Sequence, residues 1–413
     1  MNEEYKFFYT FARMDIKSLF FTALLFVLVS CHHSYEHKTV ICIPVYGQSL
    51  ALGEEAIRIT DFDSLANYAD GRIVTENLDH NYGYFDNDDI KLFVKKAIGY
   101  QKRSFEVSSY SMAKMLADSI GEDSLICIFI GGQGTTALSH LGKGTEPYDC
   151  FLNNIRTAYN NAQERGWDFI LPAICWMQGE TDVVDYTGAE YRKQLLQFYQ
   201  DINQDVRQIT KQQQDVEVIT YQTNCVTRTD HFDSLNYECP EAIVPQILLE
   251  LARDHTKFHA SGPLYPYNFV REAIHIDGEG HIQHGKLVAK AALNILRNQD
   301  MPTGLFPIDV KSQDTEITVD FIVPCPPLVL DTVQVTKAGH YGFSVITPDN
   351  RDIAKEIQLF EHEVRILCSE KPDSCKVRYA INGEMAKSGR LHGPRGNLRD
   401  SVGNWCWQFE LPL

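Results

Sequence analysis

Thr39-Val40-Ile41-Cys42-Ile43-Pro44-Val45-Tyr46-Gly47-Gln48-Ser49-Leu50 decides the reading of this chain. Residues 39–45 form an apolar run of strand length, and Gly47 permits a sharp turn at its end. Ser49 follows that turn, where a helix start would offer backbone N–H groups. A serine so placed suits nucleophilic attack, although Gly-x-Ser alone also occurs in ordinary turns. Three further apolar runs, 124–130, 168–176 and 216–222, have the same character. Between and after them, spacings of three and four predict helices over 105–120, 150–165, 189–210, 242–253 and 280–297. This alternation predicts an α/β fold, a parallel sheet with helices on both faces. Ligands then bind beyond the carboxyl ends of the strands, so the chemistry belongs just after each run.

The pattern changes near residue 300. Met301-Pro302-Thr303-Gly304 reads as a linker. Short alternating runs follow at 316–323, 329–336, 341–346, 363–368 and 376–381, separated by turn residues, which predicts an all-β module of sandwich type over 305–413.

At the other end, Arg13 and Lys17 precede an apolar run, 19–30, that stops at Cys31. The run is too short to span a bilayer and fits a secretory signal. Leu28-Val29-Ser30-Cys31 resembles the lipobox of bacterial lipoproteins, which implies lipidation at Cys31 and export to a membrane face. Plain cleavage is the alternative, and Met14 serves equally well as a start. Residues 1–31 are therefore expected to be a signal segment.

The 413 residues carry 38 basic and 55 acidic side chains, a formal charge of −17. That balance argues against nucleic acid, whose phosphates need a basic stripe. The 11 cysteines form no paired metal-ligand spacing, so no metal is expected. Cys42, Cys127 and Cys175 read as buried hydrophobes. Cys368 and Cys375, flanking a Pro-Asp turn, are the best candidates for a disulfide.

The second run ends in Gly131-Gly132-Gln133-Gly134-Thr135-Thr136-Ala137, whose backbone N–H groups can converge on an oxyanion. The Gly-Lys-Ser/Thr ending of a phosphate loop is missing. The third ends in Trp176-Met177-Gln178-Gly179-Glu180-Thr181-Asp182. Gln178 can donate an amide N–H to a developing oxyanion. Glu180 and Asp182 could be a glycosidase pair, but bracing of the loop is the preferred reading. Glu272-Ala273-Ile274-His275-Ile276-Asp277-Gly278-Glu279-Gly280-His281 comes late, with His284 and Gly285 beyond. An acid three residues before a histidine can orient its ring. Two pairings are open, Glu272 with His275 and Asp277 with His281. A helix beginning at Gly280, with Ile282, Leu287, Val288 and Ala291 on the sheet, would place His281 and His284 by its positive end. His275 lies on the preceding loop and is preferred, leaving Asp277 to cap the turn.

These four segments, in this order, resemble the SGNH hydrolases, and specifically the sialate O-acetylesterase-like carbohydrate esterases, over roughly residues 38–297. Gly47-Gln48-Ser49 resembles the nucleophile block and Gly132–Ala137 the glycine block. Trp176–Asp182 resembles the Trp-x-Gln-Gly-Glu-x-Asp block, and His275–Gly280 with Gly285 the last. Two departures stand out: Leu50 occupies the place of the usual Asn, and Glu272 that of the usual Asp. The resemblance implies a flavodoxin-like three-layer catalytic domain over 38–300. Ser49 would be the nucleophile, His275 the base and Glu272 the acid. The N–H groups of Ser49 and Gly134 (or Gly132) and the Gln178 amide would form the oxyanion hole. No cofactor is implied. Val377-Arg378-Tyr379-Ala380 and Gly396–Asp400 resemble the accessory β domain of sialate O-acetylesterases, for which packing on the catalytic domain is the preferred role.

The expected function is a serine esterase removing O-acetyl groups from a carbohydrate, sialic acid or an acetylated polysaccharide, through an acetyl-enzyme. Trp176, Tyr46 and Tyr265 would suit stacking on sugars, although buried packing is the commonest role of such side chains. A non-catalytic glycan-binding lipoprotein and a lipid esterase or thioesterase are the contrasting readings. The oligomeric state has no sequence signal.

Overall fold

The structure is a computed structural model that describes residues 37–61, 64–65, 67–75, 105–184, 188–224, 242–384 and 387–413. The signal segment, Met14 and Cys31 lie outside the described residues. Each of the first three apolar runs is divided. Thr39–Cys42 (β1) and Val45–Gly47 (β2) flank Pro44. Asp168–Ile170 (β6) and Ala173–Met177 (β7) flank Pro172. Proline has no N–H for the ladder, which interrupts each strand at that point. Between them in the chain come Ile73–Val74 (β3), Ser124–Cys127 (β4) and Ile130–Gly132 (β5). Bonds continue across the divisions, from Ile43 N to Cys127 O at 3.1 Å and from Cys175 N to Pro44 O at 2.9 Å.

Glu217–Gln222 (β8) and Phe258–Pro263 (β9) complete the layer, and every pairing in it is parallel. The order is β3-β4-β1-β6 in one half and β5-β2-β7-β8-β9 in the other. Strand β9, Phe-His-Ala-Ser-Gly-Pro, has no apolar run and no β-branched residue, so only its partner β8 reveals it. Cys42, Cys127 and Cys175 are fully buried, as expected of small hydrophobes.

The helices are Ser49–Leu52 (α1), Ser108–Ser119 (α2), Glu146–Glu164 (α3), Glu180–Val184 (α4), Gly188–Thr210 (α5), Ile243–Asp254 (α6) and Gly278–Leu296 (α7). Helices α2 and α7 pack together, and α3, α5 and α6 form a second group. The result is the α/β layering read from the sequence. Gly285 makes the α2–α7 crossing close, since a Cβ there would sit 2.1 Å from Ser108 O and from Ser111 Oγ.

Beyond residue 305 every named pairing is antiparallel. Phe306–Gln313 (β10), Glu316–Ile322 (β11), Glu363–Cys368 (β15) and Ala354–Leu359 (β14) form one sheet. Phe343–Ile346 (β13), Lys376–Tyr379 (β16) and Phe409–Pro412 (β18) form another. Leu328–Leu330 (β12) pairs with Leu398–Asp400 (β17). Phe321 of the first sheet meets Phe409 of the second, ring centroids 6.1 Å apart. Strands β10 and β14 escaped the sequence reading because they are sheet edges with exposed polar residues and weak alternation.

These sheets pack on the α/β part. Gln222 Nε2 donates to Gln408 O at 2.8 Å, and Gln408 N returns a bond to Gln222 Oε1 at 2.7 Å. Tyr265 OH donates to Cys406 O at 2.8 Å. Cys368 and Cys375 stand as buried free thiols, not as a bridge. Burial, with Cys375 nearby, pushes the Cys368 thiol up to about 11. Among the described residues no helix is long and apolar enough to cross a membrane.

Candidate active site

Three strand ends stand level. Gly47 lies opposite Gly132 of β5 and Met177 of β7. Only glycine fits at these points. A Cβ on Gly47 would lie 1.9 Å from Met177 O, and one on Gly132 would lie 1.9 Å from Gly47 O. Gln48 N donates to Met177 O at 2.9 Å and Gln133 N to Gly47 O at 3.1 Å. The segments carrying Ser49, Gly134 and Gln178 therefore leave the sheet side by side. Ser49 is the first residue of α1 and is buried. N–H groups in a first helical turn have no intrahelical carbonyl. The Gln48 side-chain oxygen accepts from Gly179 N and Thr181 N, both at 3.3 Å, and so ties the first loop to the third. Leu50 is buried in the hydrophobic core. Gly132 is used within the ladder. Gly134 lies past it, facing the Glu54 carboxylate, which a Cβ there would approach to 2.3 Å.

Asp182 braces the third loop, as preferred from the sequence. Its Oδ2 accepts from Leu138 N at 2.9 Å and from Gln178 Nε2 at 2.5 Å. Gln178 Nε2 also donates to Thr136 O at 3.2 Å. Both amide hydrogens are thus engaged, and the expectation that Gln178 donates to an oxyanion needs correcting. The Asp182 carboxylate requires a donor, which fixes the amide orientation. Gln178 Oε1 is then buried with no partner among the described residues. Glu180 faces inward and accepts from Tyr221 OH of β8 at 2.5 Å. Its burial raises the carboxyl pKa, against the hydrogen bonds from Tyr221 and Thr223.

His275 is half-buried on the loop before α7. Its Nδ1 lies 2.7 Å from Glu55 Oε2. Glu55 follows Ser49 by six residues, in the turn Gly53-Glu54-Glu55 that ends α1. Arg271 pairs with the other oxygen of Glu55. The expectation that Glu272 orients the ring is corrected here. Glu272 sits at φ 53°, in a one-turn helix over Val270–Glu272. Its carboxylate meets His392 Nδ1 at 2.6 Å and Lys387 Nζ at 3.2 Å. Nothing in the sequence pairs residues 55 and 275, because no local spacing relates them. Burial lowers the His275 pKa, and Arg271 adds to this, while Glu54 and Glu180 pull it up. A neutral ring whose Nδ1–H points at Glu55 leaves Nε2 as a proton acceptor.

Residues 102–294 match a family model described as SASA, carbohydrate esterase, sialic acid-specific acetylesterase. Over those residues the chain is similar to that family of carbohydrate esterases. The carbohydrate esterases that this family describes are carboxylic ester hydrolases by class. The match takes in the glycine block, the Gln178 block and His275, while Ser49 precedes it. A carbohydrate acetylesterase from Xanthomonas citri has a similar fold, with TM-score 0.59 at 15% identity, over 91% of this chain and 80% of that one. The structure of NanS aligns with TM-score 0.43 at 15% identity, over 64% of this chain and 99% of that one. No curated protein matches the chain by sequence.

The other two histidines of the His275 segment, His281 and His284, lie in the interior. Ser108 Oγ stands 3.0 Å from His281 Nδ1 and 2.9 Å from His284 Nδ1, and Ser261 Oγ stands 3.0 Å from His284 Nε2. Burial holds both rings at about 3. This agrees with the preference for His275. The buried stripe of α7 differs from the one expected. His281, His284 and Gly285 line it with Val288 and Ala291, while Ile282 and Leu287 are only half-buried. The serines satisfy both nitrogens of His284 and Nδ1 of His281, whose Nε2 is buried with no partner among the described residues, and Gly285 admits α2. Asp277 caps α7 by accepting from Gly280 N at 2.8 Å, as expected. Trp176, Tyr46 and Tyr265 are fully buried, which corrects their reading as a sugar platform. Tyr46 packs on Phe151 and Phe198 and donates to Leu141 O at 2.8 Å. Among the described residues no three metal-ligating side chains converge.

Proposed function

We propose that the esterase removes O-acetyl groups from carbohydrate, sialic acid or an acetylated polysaccharide, by a serine mechanism. One observation carries this reading. His275 is bound through Nδ1 to Glu55, a residue of the turn that closes the short helix Ser49 begins. Ser49 Oγ attacks the acetyl carbonyl while His275 Nε2 takes its proton. Glu55 holds the ring and stabilises its cation. The backbone N–H groups of Ser49 and Gly134 receive the oxyanion. The tetrahedral adduct collapses, and His275 protonates the departing sugar hydroxyl. Water then attacks the acetyl-enzyme with His275 again as base, releasing acetate and restoring Ser49.

A fluorophosphonate probe should label the wild type and not Ser49→Ala, and acetate should be released from acetylated sialic acid or xylan. A protein that bound glycans without labelling would be a lectin-like binder. A preference for long-chain esters would make it a lipid esterase.

Export as a lipoprotein anchored through Cys31, facing the periplasm or the cell surface, belongs to the same proposal and rests on Leu28-Val29-Ser30-Cys31. A palmitate analogue should mark the wild type and not Cys31→Ala; an unmarked wild type would end it.

A further inference from the structure

The loop that carries His275 is gripped by the C-terminal β module. Arg390 N donates to Tyr267 O at 3.1 Å, and Arg390 Nε to Asn268 Oδ1 at 2.7 Å. Ser388 N donates to Glu272 O at 2.8 Å. Gly389 lies so close that a Cβ would come 2.7 Å from the Phe269 ring and 2.8 Å from Tyr267 O. Asn224, just after β8, holds the gripping segment in turn. Its Oδ1 accepts from Gly389 N at 2.6 Å, and its Nδ2 donates to Pro394 O at 2.8 Å.

The loop needs this support. Arg271 and Glu272 both occupy the left-handed region, at φ 54° and 53°. Side chains with a Cβ persist there only where their surroundings over-determine the backbone. Arg271 then reaches back to Glu55, and Glu272 reaches outward to Lys387 and His392. Two adjacent residues therefore join the His275–Glu55 pair to a segment 115 and 120 residues further along the chain.

We infer that Glu272 is a positioning residue that, through Lys387 and His392, fixes the His275 loop to the β module and so sets the base against Ser49. The β module is then a working part of the ester-cleaving site. The inference rests on His275 being the base. The charged groups facing that ring are Glu54, Glu55, Glu180 and Arg271, and none of them is altered in the variants that test it.

The test compares Glu272→Gln and Lys387→Met/His392→Leu with the wild type on 4-nitrophenyl acetate. Each variant should lose about tenfold in kcat with KM within about twofold, as loss of orientation does. The acid limb of kcat/KM should move to higher pH, because a loosened His275 regains water and loses the burial that lowers its pKa. Wild-type kcat, or a fall in kcat with the acid limb unmoved, would overturn the inference, whatever the thermal midpoint does. His275→Ala separates the two levels. If it stays active, the serine–histidine reading fails as well. If it is dead while both variants behave as wild type, only the positioning role fails.

Discussion

The two sides of this site are built differently. The Ser49 side is set by backbone register. Gly47, Gly132 and Met177 stand level in the sheet, two glycines fit where no other residue could, and buried Gln48 and Asp182 knit the loops. The His275 side is a half-exposed loop held by ion pairs from Arg271 to Glu55 and from Lys387 of the C-terminal module to Glu272. Sheet register is cooperative and unforgiving, whereas partly exposed ion pairs are individually weak. The first side should therefore fail through folding and the second through catalysis.

The largest expected effect tests whether the two sides form one unit. Ser49→Ala and His275→Ala should each cost about 10³-fold or more in kcat, and the double variant should be no worse than either. Additive losses in the double variant would separate the two residues.

Gly47→Ala should strike folding instead. Its methyl group meets Met177 O with no room to yield, and we expect a loss of about 3 kcal/mol in urea unfolding. Gly121→Ala, where the methyl group meets nothing within 4 Å, is the matched control and should change stability by about 0.5 kcal/mol or less. Equal losses in both would mean that the strand ends are not closely packed.

Glu55→Gln should leave the fold intact and lower kcat roughly 10- to 100-fold, less than removal of the base, because Glu55 is partly exposed. If Glu272→Gln were the more damaging of the two, the ring would take its orientation from the other acid.

The last comparison concerns pH. His281 and His284 are held at about 3 in the fold, against an ordinary value near 6.5. Between those values the unfolded chain binds protons that the folded chain refuses. Their contribution is complete above pH 6.5 and is lost as pH falls, by roughly 1–2 kcal/mol per pH unit for each ring. Buried Glu180, with its raised pKa, opposes them as a single group. Unfolding free energy should therefore fall between pH 7 and pH 5, and a flat profile would show that the two rings titrate normally.

Much of the Ser49 side was legible because it is local. A strand, a glycine and a serine in ten residues define a strand-to-helix turn, and the Gly-rich and Gln-Gly-Glu segments repeat the placement at neighbouring strands. Gln178 shows the limit. Its chemistry suited an oxyanion, but Asp182, four residues on, uses the amide. The choice of His275 over His281 and His284 came from the helix start, which the structure places at Gly278 with Asp277 as its cap. The choice of Glu272 as the acid failed because sequence proximity does not say which way a left-handed turn throws its side chain.

By itself, then, the sequence determined the alternation of strands and helices and the placing of the Ser49, Gly134 and Gln178 segments at strand ends. Periodicity and turn residues are local properties, readable without neighbours. Tertiary structure alone decided that Glu55 meets His275 and that Tyr46, Trp176 and Tyr265 are core. It also decided that the C-terminal sheets hold the histidine loop. Each of those contacts joins segments distant in the chain, and their meeting depends on strand register and loop direction, which only the folded backbone supplies.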